Sequence, residues 1–231
     1  MILLWTDALI FLLVFIIITL AFYMRSREHL RRPWKKIARS KIAMVSLVIL
    51  MFFVIVGLLD SLHFRPSNSQ SNEIISVLDL LAAPLREHQE KTYSAPFSAY
   101  LYNKEQIITP DGQNYWGYPR LKYGGAHLTD PERDKYRDIL HKGFWGFIKG
   151  SGLFLMVFVL SWSLFRERKR NLFKSDTSKV VWFTVFMMIS GFYSLAELSV
   201  SYHIMGTDKV GEDVFYQTLK SIRTGPVSYT H

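Results

Sequence analysis

The chain has 231 residues, of which 49% are hydrophobic and 15% aromatic, and it carries a formal net charge of +9. Its charged residues stand in a few blocks between long apolar runs, which argues against a soluble domain with charged and apolar residues interleaved at the helix or strand period. The absence of cysteine excludes disulfides, thiolate metal sites and thiol catalysis. Because the excess positive charge lies in two short stretches beside apolar runs, it indicates cytoplasmic membrane loops and not a nucleic-acid partner.

The first apolar run predicts a transmembrane helix over residues 1–24. Ala8 to Met24 contains no charged residue, and a helix needs roughly 20 residues to cross the hydrocarbon core. No basic segment precedes the run, and Arg25 and Arg27 follow it directly where a signal peptide would have a small-residue cleavage site. We therefore expect an uncleaved anchor.

Two basic connectors set the predicted topology. Residues 25–41 hold eight Lys or Arg and one Glu, and residues 166–179 hold six basic and two acidic residues. Short loops rich in Lys and Arg stay in the cytoplasm, so the N-terminus, residues 61–142 and the segment after Tyr202 are predicted to lie outside. The residues that determine this orientation are Arg31, Arg32, Lys35, Lys36, Arg166, Arg168, Lys169 and Arg170. The remaining predicted transmembrane helices cover residues 42–60, 143–165 and 180–203.

The outer loop, residues 61–142, is about 80 residues long and contains ten acidic and ten basic side chains. An apolar stripe predicts a helix within Ser71–Leu85, interrupted only late by Pro84. The capping box at Thr129–Glu132 predicts a helix from Asp130 to His141. The Tyr-, Pro- and Gly-rich stretch Tyr93–His127 is predicted to be irregular and held by aromatic contacts.

Together these patterns predict an all-α integral membrane protein with about four transmembrane helices and a partly helical extracytoplasmic loop. Trp5, Trp34, Trp145 and Trp182 lie near the ends of the apolar runs, as interfacial aromatic residues do.

Few residues carry recognisable chemistry. The outer-loop histidines lack the tight spacing of metal ligands, and the chain has no phosphate-binding glycine loop, so it is not itself an ATPase. No Ser/His/Asp arrangement is visible, although such triads are spatial. Lys149 and Glu197 are the only Lys, Arg, Asp or Glu residues within the last two predicted spans. Lys149 is expected to snorkel, and Glu197 to lie near the outer interface where water reaches it. A membrane-embedded enzyme would need more converging polar groups, so we predict no catalytic, cofactor or metal site. The histidines weighed here are His63, His88, His127 and His141.

The segment Gly206–Gly225 follows the fourth run. Gly206 to Asp208 predicts a turn, with Thr207 or Asp208 capping the next helix. From Glu212 onward the apolar residues fall on one face, which predicts a short amphipathic helix suited to lying on the membrane surface. The residues of that face are Val214, Phe215, Leu219 and Ile222.

This segment resembles the signature of the C-type permease subunit in oligopeptide/dipeptide ABC transporters, G-T-D-x-x-G-R-D-V with a later arginine before the next transmembrane helix. Glu212 stands where arginine is usual, Gln217 where a second arginine is common and Ser221 where glycine is common, which indicates a divergent branch. A basic aromatic stretch, Arg32–Lys41, resembles the cytoplasmic start of the same family. The matching signature residues are Gly206, Thr207, Asp208, Gly211, Asp213, Val214 and Arg223.

The resemblance implies one half of a transport channel in the bacterial inner membrane. Its partners would be a second permease subunit, cytoplasmic ATPase subunits and a periplasmic solute-binding protein, with the GTD segment on the external face. ATP hydrolysis would belong to a separate subunit and the chain would need no cofactor. The main alternative is a standalone four-helix membrane protein whose outer loop serves as a sensor or assembly platform.

Family members continue beyond the position of Arg223 with more helices and an E-A-A loop that grips the ATPase. Pro226–His231 resembles the translation of a sequencing-library adapter. The expectation is therefore a fragment truncated before the coupling loop, with native sequence to about Gly225, and reading the locus from intact genomic DNA tests it.

Overall fold

A computed structural model describes residues 5–65, 74–108, 114–164 and 175–228, and the side chains of these except Arg31, Leu164 and residues 224–228. The fold is mostly helical, and four helices are long and apolar enough to cross a membrane. The predicted fold class is thus confirmed. The four candidate spans are α1 (Trp5–Ser26), α3 (Lys41–Ser61), α6 (Pro131–Leu164) and α7 (Asp176–Ser199).

The first basic connector is not a simple loop, because α2 (Glu28–Ile37) occupies most of it. Arg27 has an extended backbone, which separates α2 from α1. Pro33 lies inside α2 and lacks an N–H, so one hydrogen bond of the helix is missing there. Ser40 then caps α3 by accepting a hydrogen bond from the Ala43 N–H at 3.4 Å.

After α3 the chain forms short elements. Strand β1 (His63–Phe64) pairs antiparallel with β2 (Ile75–Ser76), and two one-turn helices follow, α4 (Val77–Leu81) and α5 (Ala83–Glu87). The predicted single helix within Ser71–Leu85 is therefore wrong over the part that is described. The reason is Pro84, which begins α5 in its first turn instead of ending a longer helix.

The stretch predicted to be irregular contains a β-hairpin. Strands β3 (Glu105–Ile108) and β4 (Asn114–Gly117) pair antiparallel, with Glu105 opposite Gly117 and Ile107 opposite Tyr115. Neither four-residue strand alternates polar with apolar residues, so the sequence lacked the pattern that predicts a strand. Tyr123 of this stretch makes an aromatic contact with a residue that precedes the stretch, stacking on His88 at 4.4 Å between ring centroids.

Helix α6 joins two predicted elements into one. The outer-loop helix begins at Pro131, one residue after the predicted Asp130, and it continues past His141 without a break through the third span to Leu164. Asp130, and not Thr129, caps it by accepting a hydrogen bond from the Arg133 N–H at 3.3 Å. The last helix, α8 (Val214–Ser228), follows the GTD segment.

The chain divides into two compact units. The first contains residues 1–81, 153–188 and 222–231, and the second contains residues 82–152 and 189–221. Most apolar side chains of the four spans are exposed in the isolated chain, as expected for helix surfaces that face lipid. The second unit has its own core, in which Ala99, Leu101, Leu121 and Tyr202 are at most 5% exposed.

Candidate functional site: the GTD turn and two buried charge clusters

The predicted turn is a closed loop, Gly206–Val214, which we call the GTD turn. Thr207 and Asp213 pair across its base as an antiparallel bridge. The Asp208 N–H donates to the Glu212 carbonyl at 3.0 Å, and the Val214 N–H donates to the Gly206 carbonyl at 3.1 Å. The backbone therefore closes on itself without help from the rest of the chain.

Asp208 organises the inside of this loop. Its carboxylate accepts hydrogen bonds from the N–H groups of Val210 at 3.0 Å and Glu212 at 2.9 Å, and from the Gln217 amide at 2.7 Å. Burial raises the pKa of Asp208, but these hydrogen bonds outweigh burial and lower the pKa below its ordinary value. The carboxylate thus stays ionised and holds the turn in shape.

Two positions of the turn require glycine, because the backbone there is left-handed and leaves no room for a Cβ. Gly206 has φ +77° and Gly211 has φ +82°, a left-handed conformation that strains side chains. A Cβ on Gly206 would lie 2.2 Å from the Ser94 carbonyl oxygen, and one on Gly211 would lie 1.9 Å from the Glu90 carbonyl oxygen. The turn therefore presses backbone to backbone against residues 90–95.

Thr207 fastens the turn to the same segment. Its hydroxyl donates to the Thr92 carbonyl at 2.8 Å and lies 3.1 Å from the Ser94 hydroxyl, and its N–H donates to the Ser94 carbonyl at 3.3 Å. Thr207 is only 4% exposed. A buried hydroxyl with two partners accounts for threonine at this position.

The third polar residue of the turn, Asp213, belongs to what we call the acid–histidine cluster, formed by Glu90, His203 and Asp213. The Nδ1 atom of His203 lies 2.7 Å from the Asp213 carboxylate, and its Nε2 atom lies 3.4 Å from the Glu90 carboxylate. All three side chains are at most 3% exposed. Asp213 also caps α8 by accepting the Tyr216 N–H at 3.1 Å, so the predicted cap at Thr207 or Asp208 is wrong.

Glu90 ties this cluster to a distant part of the loop. Its carboxylate accepts the N–H groups of Lys122 at 2.8 Å, Tyr123 at 2.7 Å and Gly124 at 3.2 Å. Burial would raise the pKa of Glu90, yet the hydrogen bonds from His203 and the three N–H groups lower it to about 2. The carboxylate is thus ionised at any physiological pH.

His203 carries the positive charge that this arrangement requires. Burial would lower its pKa, but the two carboxylates that it faces outweigh burial and raise the pKa to about 9. Because both ring nitrogens face acceptors, the doubly protonated imidazolium satisfies both contacts. The nearby His88 ring behaves oppositely, since burial and the charge of His203 lower its pKa.

The last residue of the signature lies in the other unit, in what we call the Arg223 cluster: Thr6, Asp7, Asp60, His63 and Arg223. The guanidinium is 3.2 Å from the Asp7 carboxylate and 3.4 Å from the Asp60 carboxylate, and it donates to the Thr6 hydroxyl at 2.8 Å. The Asp7 side chain is fully buried and that of Asp60 is 4% exposed.

His63 completes this cluster between Arg223 and Asp7. The guanidinium lies 3.5 Å from the Nε2 atom of His63, and the Nδ1 atom lies 3.0 Å from the Asp7 carboxylate. Since a guanidinium only donates, Nε2 accepts and the ring proton on Nδ1 donates to Asp7. The Ser76 hydroxyl donates to the Asp60 carboxylate at 3.1 Å, which gives this buried acid a second polar partner.

The helix predicted to lie on a membrane surface is instead covered by protein along part of its length. Phe215, Tyr216 and Leu219 of α8 are 8%, 8% and 9% exposed. The helix is amphipathic as predicted, but its apolar face belongs to a protein core. Because periodicity shows which face is apolar and not what covers it, the sequence could not distinguish the two environments.

Lys149 and Glu197 form an ion pair, with Nζ and the carboxylate oxygen 2.8 Å apart. The pair joins α6 to α7 where small residues allow the helices to approach: a Cβ on Gly150 would lie 2.7 Å from the Ser190 Cα. Gly146 and Gly150 form a G-x-x-x-G pattern, which suits close helix packing in membranes. Ser194 adds a hydrogen bond to the Gly143 carbonyl at 2.8 Å.

The histidines weighed as ligands have separate neighbours. His63 faces Asp7 and Arg223, whereas His88 stacks on Tyr123. His127 lies 2.7 Å from the Asp138 carboxylate, and His141 accepts a hydrogen bond from Trp145 at 2.9 Å. Within the described ranges no group of three or more His, Asp or Glu residues is arranged to hold a metal ion.

The orientation residues fall in two groups. The side chains of Arg32, Lys35 and Lys36 are exposed on α2, and Arg31 belongs to the same helix. The prediction for Arg166, Arg168, Lys169 and Arg170 concerns residues outside the described ranges, as does that for residues 229–231.

Sequence reasoning missed four residues of these clusters: Glu90, His203, Asp7 and Asp60. A signal existed for the last two, since an aspartate at each of two adjacent span ends on one side, with a later arginine, offers an ion pair. For Glu90, 113 residues from its histidine partner, the linear sequence carries no such signal.

Comparison of the chain with protein-family models, with curated proteins and with solved structures finds no match in any of the three. What the fold establishes is a membrane protein with four candidate spans.

Proposed function

We propose that the chain is a membrane-spanning permease subunit of an ABC importer for peptides or related solutes. It would lie in the bacterial inner membrane with its N-terminus, the outer loop and the GTD turn outside. The observation that carries the proposal is the GTD turn. In this turn, residues shared with the permease signature have structural roles that depend on their particular side chains. Gly206 and Gly211 allow left-handed backbone contact, while Thr207, Asp208 and Asp213 make the hydrogen bonds that close and anchor the turn.

The departures from the signature have local partners in this chain. Glu212 and Gln217 stand where arginine is common, and the Gln217 amide donates to the Glu212 carboxylate at 3.0 Å. Glu212 is exposed in the GTD turn and Gln217 is half-buried on α8, so the two departures satisfy each other. Ser221, where glycine is common, is satisfied within α8 by donating to the Thr218 carbonyl at 2.8 Å.

The orientation is supported by the distribution of charge. The cationic helix α2 connects α1 to α3, whereas the polar stretch after α3 is neutral. Basic connectors resist translocation and neutral long loops do not. Both observations favour an outer position for the second unit's loop residues.

In this role the chain would work with a second permease subunit, two cytoplasmic ATPase subunits and a periplasmic solute-binding protein. The chain itself would hydrolyse nothing and hold no cofactor; its contribution would be half of the pathway. The ATPase and the solute-binding protein would supply energy and selectivity.

The alternative, a standalone membrane protein with an outer sensor or assembly platform, is favoured by one observation. The second unit has a core of its own and a buried acid–histidine cluster, so it does not need the pathway to be folded.

Uptake separates the two functions. Deleting the gene at its intact locus should abolish uptake of a radiolabelled dipeptide and tripeptide mixture, restoring the gene should recover it, and the restored protein should copurify with an ATPase subunit. Unchanged uptake of every peptide tested, together with no ATPase subunit in the purified complex, would overturn the permease proposal in favour of the standalone reading.

Orientation has its own test, which the absence of cysteine makes clean. Single cysteines at the exposed positions Lys36 and Lys209 should behave oppositely toward a membrane-impermeant maleimide in intact spheroplasts. Lys209→Cys, in the GTD turn, should be labelled and Lys36→Cys should be protected until the membrane is opened. The reverse pattern would refute the proposed orientation.

A further inference from the structure

Helix α2 has a surface that the transport role does not explain. Its apolar residues recur at positions i, i+3, i+4 and i+7, which places Leu30, Pro33, Trp34 and Ile37 on one face. Trp34 is 53% exposed and Ile37 is 44% exposed, so a large part of this face is not covered by the chain itself.

The opposite face is cationic. The Arg32 side chain is 79% exposed, and Lys35 and Lys36 are exposed beside it. The single acidic residue of the helix, Glu28, lies 4.0 Å from Arg32 and is 86% exposed, which screens little of the charge. A basic amphipathic helix of this kind is typical of segments that lie in the headgroup region of a membrane.

The connection to α1 fixes the depth of α2. Only Arg27 separates the end of α1 from the start of α2, and α1 is a candidate span. The start of α2 must therefore lie at the membrane boundary where α1 leaves the hydrocarbon core. An apolar face at that depth meets lipid without needing a protein partner of matched shape.

A groove lies where α2 folds back on α1. It has a volume of about 250 Å³ and is lined by Ala21, Met24, Arg25 and Trp34. The Trp34 indole N–H donates to the Met24 sulfur at 3.2 Å, which holds the two helices together at this point. The groove thus offers apolar walls for hydrocarbon, and the exposed Arg25 side chain beside it carries a positive charge for an anion.

We propose that α2 and the end of α1 form a binding site for an anionic phospholipid. The groove takes the start of an acyl chain, Arg25 contacts the phosphate, and Lys35 and Lys36 attract the anionic headgroups around it. Charge complementarity selects this occupant, because Lys and Arg beside a span favour anionic over zwitterionic lipids. The site does not depend on whether the chain transports a solute.

The test measures lipid selectivity of the purified full chain reconstituted in phosphatidylcholine vesicles. Spin-labelled phosphatidylglycerol and phosphatidylcholine report the relative association constant from the motionally restricted fraction. We expect phosphatidylglycerol to be favoured about threefold or more at low salt, with the ratio falling toward one in 0.5 M chloride because a Debye length of about 4 Å screens exposed charges. An equal ratio at low salt overturns the proposal, and this measurement needs no variant.

A matched pair of variants tests the position of the site. Lys35→Glu with Lys36→Glu should bring the ratio close to one. Arg133→Glu with Arg137→Glu, at the exposed start of α6, changes the net charge by the same amount and should leave the ratio unchanged. An equal loss in both variants would mean that only the total charge matters and would overturn the proposal.

A competition experiment and two Trp34 variants test whether the bound molecule is a phospholipid in the groove. Inorganic phosphate at constant ionic strength should not displace the spin-labelled lipid; displacement would show a site for free phosphate and overturn the lipid assignment. Trp34→Ala should lower the ratio and Trp34→Phe should restore most of it, since phenylalanine keeps the aromatic wall of the groove and loses only the hydrogen bond to Met24. If neither Trp34 variant changes the ratio, the groove is not part of the lipid-binding site.

Discussion

Replacing Glu90 with glutamine keeps the shape of the side chain and removes its charge. In the protein this carboxylate receives the N–H groups of Lys122, Tyr123 and Gly124 and faces the His203 imidazolium. An amide has one oxygen where the carboxylate has two. The Lys122 N–H would then face the amide –NH₂, which is itself a donor.

The expected loss follows from three changes in one buried place. One charge-assisted hydrogen bond disappears, two others weaken because their acceptor becomes neutral, and His203 keeps only Asp213 as a counter-charge. The Glu90 side chain is 3% exposed, so water does not replace what is lost. Removing one member of a buried ion pair costs about 3–5 kcal/mol, which for a chain of this size lowers the unfolding temperature by about 6–20 °C.

The assay is thermal unfolding of the purified protein in detergent. Glu105→Gln is the matched control, because Glu105 forms an ion pair at 2.5 Å with Lys91, whose side chain is 69% exposed. That change should cost less than about 1 kcal/mol. A Glu90→Gln variant that unfolds within about 2 °C of the parent would refute the role given to the cluster.

The pH dependence has a defined sign. The pKa of His203 is raised to about 9, so its contribution to stability is complete below the ordinary value of 6.5 and is lost as pH rises through 9. The pKa of Glu90 is lowered to about 2, so its contribution is present above 4.5 and is lost as pH falls toward 2. The unfolding temperature should therefore fall between pH 7 and 9.5, and Glu90→Gln should flatten that fall because part of the cause of the raised His203 pKa is gone.

Three further substitutions test the remaining contacts by the same unfolding measurement. Gly211→Ala should cost at least about 1–2 kcal/mol for the left-handed backbone alone, and more because its Cβ meets a backbone oxygen. The control Gly57→Ala, whose added Cβ meets nothing within 4 Å, should be close to neutral. Equal effects of the two substitutions would contradict the backbone contact. Gly150→Ala should destabilise the protein by about 1–3 kcal/mol through overpacking between α6 and α7. The control Gly152→Ala, whose added Cβ meets open space, should not destabilise it. A neutral Gly150→Ala would show that the two helices do not approach closely there. Arg223→Gln leaves two buried carboxylates without their cation and should cost about 3–5 kcal/mol; a loss below about 1 kcal/mol would remove the cluster as a structural element.

The four spans were predictable because a bilayer imposes one strong condition on sequence. Each span must present about 20 apolar residues in a row, and that pattern is visible without knowledge of the partner helices. The helix ends at Ser26, Ser61 and Ser199 fall within a few residues of the predicted ends. The long α6 was split in prediction, because the change from polar to apolar residues at Gly143 marks the membrane boundary and not the end of a helix.

The turn was predicted for a different reason. Glycine, threonine and aspartate have strong local preferences, so a G-T-D sequence indicates a tight turn wherever it occurs. The identity of the cap was missed because Thr207, Asp208 and Asp213 are all good capping residues. Which one caps α8 depends on where the other two find partners. Thr207 finds its partner more than 100 residues away, at Thr92, and Asp208 finds its partner within the turn, at Val210.

The two ionic clusters could not be predicted from the sequence, because charge pairing between distant residues has no periodicity. Isolated acids such as Asp7, Asp60 and Glu90 look alike in the linear sequence, and the same residue type marks a solvated helix end far more often than a buried ion pair. Yet a buried carboxylate is tolerated only with its cation in place. Asp7, Asp60 and Glu90 therefore each constrain a second residue far along the chain, Arg223 for the two span ends and His203 for Glu90. A residue of the GTD segment can accordingly be required by the fold of this chain whether or not it ever touches a partner, and an uptake assay on Asp213 or Arg223 variants becomes informative only when it is read against their unfolding temperatures.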